Sequence, residues 1–201
     1  AGVERIMLPT MDQTRKQAEI VFNDVSIPCD ALMGSEGGAW SDLSTVIDLA
    51  TVALAAEQMG GAQQVMDLTV EYTKERTQFN RPIAGFQAIK HKAADMMTRV
   101  EVARSGVYYA ACIAQDAFET AATGTRVGEF SEELPEAASI AKSYCSDAYF
   151  KNAGDAIQMH GGVGFTWEYD IHLYFKRAKA SEHFLGNGSY HRERLASMLL
   201  D

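Results

Sequence analysis

The sequence predicts a mainly α chain: an up-down antiparallel four-helix bundle, preceded by a few β-strands from a truncated β domain. Three observations carry this. Apolar residues recur at three- and four-residue steps through long stretches. Those stretches are joined by short connections, as antiparallel helical neighbours are. Ahead of them lie short strand-like runs separated by turn residues. The 201 residues suit one domain or slightly more. The expected division is 1–35 for the strand remnant and 36–201 for the helical domain.

In chain order, Ile6-Met-Leu8, Ala18-Glu-Ile-Val-Phe22 and Val25-Ser-Ile-Pro28 read as strands, with Asn23 and Asp24 as a turn pair. They are too few to close a sheet with a core of its own. Leu32 to Trp40 is a glycine-rich hinge, and Ser41 and Asp42 are candidate caps for the first helix. That helix then runs to Glu75, with Leu43, Val46, Ile47, Ala50, Leu54, Ala62, Val65 and Met66 on its apolar steps. Gly60 and Gly61 lie inside it. Each weakens a helix by about 1 kcal/mol relative to Ala, so the pair predicts close packing against another helix, with room for a kink. The second helix is expected over 86–120, followed by a flexible link, Ala121 to Gly128. The third covers 135–159, with Pro135 suited to a first turn. The break His160-Gly-Gly-Val-Gly-Phe165 ends it. A shorter helix over 168–183, a second break at Leu185 to Ser189 and a last helix over 190–200 complete the chain.

Composition narrows the function. Hydrophobic residues are 47% and charged residues 22%, an ordinary core-forming balance, with a net charge of -9. No basic stripe exists to replace phosphate counterions, which argues against nucleic acid. Cys29, Cys112 and Cys145 are odd in number and form no CxxC pair, so neither a zinc site nor a disulfide framework is indicated, and a reducing, cytoplasmic setting fits. No apolar run reaches the length of a membrane span. The opening residues lack an initiator Met and read as mid-domain sequence, so a fragment or a processed chain is expected.

Two breaks between helices hold the unusual chemistry. In Glu75-Arg-Thr-Gln-Phe-Asn-Arg-Pro-Ile-Ala-Gly-Phe-Gln87, Arg76 is a fixed cation with a forked donor suited to phosphate or pyrophosphate. Phe79 and Phe86 offer flat apolar faces. Gln78 and Gln87 offer amides that can read the edge of a heterocycle. Pro82 cannot continue a helix and Gly85 relaxes the backbone. The same residues also read as a plain helix–helix connection with a surface arginine. In the second break, Gly161, Gly162 and Gly164 leave bare backbone that a planar ligand or phosphate could approach, with Gln158 one step before. Taken alone, a C-terminal glycine stop is the better explanation of that run. His160, His172, His183 and His191 form no metal-binding motif, and packing or surface roles account for them. Glu129, Glu132 and Glu133 read as solvated charges near a helix start.

Taken jointly, these stretches resemble the acyl-CoA dehydrogenases. Asp12-Gln-Thr-Arg15, Val21-Phe-Asn-Asp-Val-Ser-Ile-Pro28 and Gly34-Ser-Glu-Gly-Gly38 look like the end of that family's middle β domain. Tyr72-Thr-Lys-Glu-Arg-Thr-Gln-Phe79 with Gln87, and Ile157-Gln-Met-His-Gly-Gly-Val-Gly-Phe165, resemble its two flavin-contacting motifs. Arg177-Ala-Lys179 and Arg192-Glu-Arg194 also fit.

The resemblance implies FAD as cofactor and a tetramer, homo- or hetero-oligomeric, in which each bundle serves its own flavin site and a neighbour's. It implies that Arg76 pairs with the FAD pyrophosphate, that Gln78, Phe79, Phe86 and Gln87 line the adenosine side, and that Gln158, Gly161 and Gly162 hold the far end. Asp48 matches an acid that contacts the CoA part in some members. An acyl-CoA is the implied substrate, an electron-transfer flavoprotein or similar acceptor the implied partner, and fatty acid metabolism the setting.

The family's base is a carboxylate that removes the α-proton of the thioester while a hydride leaves the β-carbon. Here the sequence departs from the pattern. The family's Tyr-Glu-Gly-Thr segment is matched by Phe184-Leu-Gly-Asn187, which puts Leu185 at the base position. The alternative family position on the first bundle helix is Ala50, with Thr51 beside it. Glu57, two helical turns further along, is a candidate for a relocated base, and a packing or helix-pair role is the competing reading. A non-catalytic or partner-dependent subunit of a mixed tetramer, and an oxygen-using flavoenzyme of the same fold, are the other readings.

Overall fold

The computed structural model describes residues 2–123 and 131–200. Two six-residue strands, β1 (Val3–Leu8) and β2 (Gln17–Phe22), form an antiparallel hairpin in which Val3 faces Phe22 and Leu8 faces Gln17. β1 is exposed along its whole length, so the hairpin encloses no core. Val25 to Pro28 pairs with no strand among the described residues, which corrects the expectation of a third one. That stretch runs instead into a single 3₁₀ turn, Cys29–Ala31.

Three long helices come next: α1 (Trp40–Glu75), α2 (Gln87–Thr123) and α3 (Leu134–His160). Two short ones, α4 (Ile171–His183) and α5 (Gly188–Leu200), lie against α3. α3 is the centre of the molecule and packs most heavily on α1, then on α2. The helical segments match the expected ones, with shifted ends. α1 starts at Trp40, because Ala39 is already close to helical (φ -77, ψ -7). Ser41 and Asp42 therefore lie inside the first turn rather than capping it, and the Ser41 carbonyl accepts from the Ser44 hydroxyl at 2.8 Å. α4 starts at Ile171 rather than at Glu168. α5 starts at Gly188, where the Asn187 side chain accepts from the Tyr190 N–H at 2.9 Å, as an N-cap does. Of the expected link, Ala121 to Thr123 continue α2. Gly124 to Gly128, with Glu129, lie outside the described residues.

The core is built from small residues, which lets the helix axes approach. Val52 and Ala55 of α1 meet Ala103, Val107 and Ala110 of α2 and Ala138, Ala141, Cys145 and Ala148 of α3. A second layer gathers Ala62, Val65, Met96, Val100, Tyr149, Ala153 and Ile157. Full burial of side chains such as Val65, Met96 and Val100 contributes about 1.5–3 kcal/mol each. The glycine pair resolves into two roles. A Cβ on Gly61 would lie 2.5 Å from the Tyr149 ring, whereas one on Gly60 would meet nothing within 4 Å. α1 runs through both without a break. Gly61 is thus the close-packing position, where α3 sets its largest buried side chain against α1.

Candidate functional site

The segment after α1 is more ordered than a plain loop. β3 (Thr77–Gln78) and β4 (Arg81–Pro82) pair antiparallel, Thr77 with Pro82 and Gln78 with Arg81. Phe79 (φ 51) and Asn80 (φ 61) form the two-residue turn between them. Positive φ at both central positions is the primed turn that matches strand twist. Its sequence signature is weak, since Asn80 tolerates that conformation but a phenylalanine before it is unusual. The turn drives Phe79 outward, 88% exposed. Its ring meets Phe86 edge-on at 6.1 Å, and the Arg81 guanidinium lies 4.0 Å over the Phe86 face. The Gln78 amide donates to the Thr77 carbonyl at 2.8 Å, and the Gln87 amide lies 3.5 Å from His91 Nε2.

Arg76 itself is locked through its main chain. Its N–H donates to Tyr72 at 2.9 Å and its carbonyl accepts from Ile83 at 2.8 Å. Its side chain is exposed and meets no carboxylate among the described residues. It is a cation left unpaired among the described residues.

At the end of α3, Gly161 adopts φ 65 and its N–H caps the helix by donating to Gln158 and Ile157 carbonyls. The glycine-stop reading therefore holds, and the Gly161 N–H is spent on it. An added Cβ at Gly161 or Gly162 would meet nothing within 4 Å, whereas at Gly164 it would press on the Ile157 carbonyl and His160. Gly161 and Gly162 lie open to solvent with Gln158 beside them, and Gly164 is a packing glycine.

A side-chain clasp joins the two breaks. Tyr72, one turn before Arg76, stacks on His160 with ring centroids 4.1 Å apart, and its hydroxyl donates to the His160 carbonyl at 3.3 Å. Tyr169 meets both rings edge-on. His160 Nδ1 donates to the Ala156 carbonyl at 2.8 Å, and burial lowers the imidazole's pKa against that bond. The sequence allows a packing role for His160 and carries Tyr72 only as part of a motif, and nothing local signals their stacking. The cavity beside the clasp, about 300 Å³, is lined by Glu71, Glu75, Glu168 and Asp170 and by none of the sequence-predicted donors. Arg76, Gln78, Phe79, Gln87, Gln158, Gly161 and Gly162 instead share one end of the bundle and face outward.

The remaining candidates sit elsewhere. Asp48 is 2% exposed, and its two oxygens accept from the Arg194 guanidinium, at 2.5 and 2.8 Å. Its carboxylate is committed inside the chain rather than presented to a ligand. Arg194 in turn lines an open pocket with Tyr190, Glu193 and Met198. Glu57 is held on one oxygen by Arg177 at 2.9 Å and on the other by Arg15. Two cations on one carboxylate are the opposite of the unpaired, desolvated base that proton abstraction needs, so its role is the packing one. Arg177 also reaches Asp12 at 3.2 Å and Thr14 at 3.0 Å. Burial alone would raise the Asp12 pKa, but hydrogen bonds from Thr14 and Arg177 hold it below the usual range. This cluster seats the β1–β2 turn on the bundle. Ala50 is exposed. Leu185 is half-buried, at φ 56, in the loop between α4 and α5.

These features define a helical domain that presents an unpaired cation, aromatic faces and bare backbone at one end of its helices. The sequence pattern described as acyl-CoA dehydrogenase, C-terminal domain, matches residues 38–200, and the chain belongs to that family. It is 36% identical over 178 residues to acyl-CoA dehydrogenase IpdE2 of Mycolicibacterium smegmatis, which covers 89% of this chain and 47% of that protein. Its fold matches butyryl-CoA dehydrogenase of Megasphaera elsdenii with a TM-score of 0.85 and 30% identity, over 100% of this chain and 49% of the other. It also matches a chain in the structure of the electron transferring flavoprotein of Acidaminococcus fermentans, with a TM-score of 0.84 and 32% identity, over 99% and 49%. The chain spans about half the length of the relatives it matches. Among the described residues no helix is long and apolar enough to cross a membrane.

Proposed function

We propose that the chain is the flavin-holding C-terminal part of an FAD-dependent acyl-CoA dehydrogenase-like protein that acts on a CoA thioester. Residues 1–35 are the end of its middle β domain and 36–201 its helical domain, a division that goes with the family match over 38–200. The observation that carries this reading is the clasp of Tyr72 on His160. It ties an exposed, unpaired arginine to an open glycine turn, and the donor set suits FAD. Arg76 supplies a fork for the pyrophosphate. Gln78, Phe79, Phe86 and Gln87 supply amide edges and flat faces for the adenosine side. Gln158 supplies an amide for the far end, and the side-chain-free backbone at Gly161 and Gly162 supplies room for it to approach.

When bound, FAD supplies the acceptor for a hydride leaving the β-carbon of an acyl thioester, with the α-proton going to a base. The butyryl-CoA dehydrogenase likeness supports a thioester substrate, and the match within an electron transferring flavoprotein structure supports such a protein as acceptor. Asp48 contributes to a CoA site by orienting Arg194 rather than by touching the ligand. Lys142 and His160 stand 18 residues apart on one helix, about 27 Å at 1.5 Å per residue. That spacing goes with the reading in which the Leu185 loop and the donors at the His160 end serve different flavin sites in an assembly of several copies. Free thiols at Cys29, Cys112 and Cys145 go with a reducing, cytoplasmic setting.

One observation favours a second reading. Neither Leu185 nor Ala50 can accept a proton, so the chain can also belong to a partner-dependent subunit of a mixed tetramer. Anaerobic addition of an acyl-CoA panel to the purified full-length protein separates the two. Bleaching of the flavin by a thioester, reversed by an electron-transfer flavoprotein, supports dehydrogenation. Bleaching that requires a second chain supports the subunit reading. No bleaching in either arm overturns both.

A further inference from the structure

Resting on the flavoprotein reading, we propose that Lys142 and His191 are positioning residues that hold the loop Phe184 to Asn187 as a rigid display for the side chain at position 185. Lys142 is wholly buried, yet no carboxylate among the described residues is bonded to its ammonium. It donates to the carbonyls of Gly186 at 2.9 Å, Glu182 at 3.1 Å and Ser181 at 3.2 Å, and to the Ser146 hydroxyl at 2.8 Å. A buried lysine is a costly way to end a helix when a glycine or water would satisfy the same carbonyls. Its reach beyond α4 to Gly186 gives it a second purpose.

His191, on α5, takes the next carbonyl. Its Nε2 lies 2.9 Å from the Leu185 oxygen, and a carbonyl only accepts, so Nε2 carries the proton. Nδ1 lies 3.3 Å from the Ser139 hydroxyl on α3, which fixes the ring. Arg15, from the β1–β2 turn, lies 5.3 Å from the Phe184 ring centroid. Three successive residues are thus held by three different elements.

The backbone shows the result. Leu185 sits at φ 56, a left-handed conformation that a branched side chain disfavours and that persists only where neighbours over-determine it. Gly186 follows at φ 94, and a Cβ there would fall 2.4 Å from Tyr190 and 3.0 Å from His191 Nε2. The glycine lets His191 come close. Every one of these holds acts on backbone or on Phe184, and none on the Leu185 side chain. The loop keeps its form whatever stands at 185.

The test uses the full-length flavoprotein with Lys142→Met and His191→Phe, each alone and combined with Leu185→Glu. Chymotrypsin cleavage after Phe184, located by mass spectrometry, is expected to speed up about ten-fold in either single variant as the loop opens locally. Cleavage after Phe79 and Phe165, and flavin content, should stay at wild-type values. In Leu185→Glu the introduced carboxylate would supply a base for the α-proton at a position where Leu185 offers none. Bleaching by acyl-CoA should then quicken by roughly 10²–10⁴, the usual contribution of a positioned base. Adding Lys142→Met should cut kcat at least about ten-fold with KM held within about two-fold, since only transition-state placement is lost. Unchanged cleavage after Phe184, uniformly faster cleavage at all three sites, or failure of both variants to fold with wild-type flavin overturns the proposal. Selective cleavage without any bleaching in Leu185→Glu supports the hold on the loop and overturns the thioester reading instead.

Discussion

The two ends of α3 treat polar groups in opposite ways. Near Lys142 they are consumed inside the chain. Gln58 donates to the Ser181 carbonyl at 3.0 Å, Lys142 satisfies three carbonyls, and Asp48 is paired with Arg194. Near His160 the main chain is just as well fixed, by the Tyr72 clasp and the β3–β4 turn, but Arg76, Gln158 and the Gly161 backbone are left facing solvent. A fold that pairs a buried lysine with carbonyls has no shortage of partners to offer. The solvent-facing side chains at the other end are those that the flavin proposal assigns to a ligand.

The largest effect that would sharpen this contrast is at the closed end. Asp48→Ala strands the Arg194 guanidinium and is expected to cost about 3 kcal/mol, read as a lower urea midpoint. Titration of Lys142 comes next. Burial pulls its ammonium from 10.5 down to about 8, so between those values the unfolded chain binds the extra proton. Stability from this group therefore rises as pH climbs through that window and is lowest below it. The gain should be roughly 2 kcal/mol and absent in Lys142→Met, checked by denaturation at about pH 7.5 and about pH 10. His191 runs the same way at acid pH. Burial lowers its pKa, so its contribution is lost as pH falls below the ordinary histidine value. At the open end, Gly161→Ala costs about 1–3 kcal/mol from backbone strain alone, since φ 65 with ψ -142 is a conformation kept almost entirely to glycine, although the space there is free. Arg76→Ala should move stability by no more than about 0.5 kcal/mol. A loss as large as that of Asp48→Ala would show that Arg76 is structural and break the contrast.

The bundle was legible because a 3.6-residue apolar period is strong over long helices; the ends of α1, α2 and α3 fall within a turn of expectation. The two polar breaks between helices were legible from residue chemistry, through arginine, glycine and amide side chains at helix ends. What stayed hidden depends on tertiary partners. A lysine in a helical pattern reads as a surface residue, and nothing local tells that Lys142 turns inward to carbonyls far along the chain. Glu57 reads as a possible base until Arg15 and Arg177 are seen on both its oxygens. Asp48 reads as a ligand contact until Arg194 is found closing on it from α5. The Phe79 and Asn80 turn was missed because its residues are not the usual glycine-containing pair. Clasps such as Tyr72 on His160 join residues 88 apart, beyond any local pattern.

The flavin content of purified full-length Arg76→Ala, measured per protomer beside wild type and with the melting temperature as control, tests the central claim most directly. Loss of a charge-assisted fork on the pyrophosphate should weaken retention about ten-fold or more, leaving an unchanged melting temperature in the apo form and a largely colourless protein. A variant that keeps wild-type FAD through the same purification and dilution would contradict the assignment of this end of the bundle to the dinucleotide.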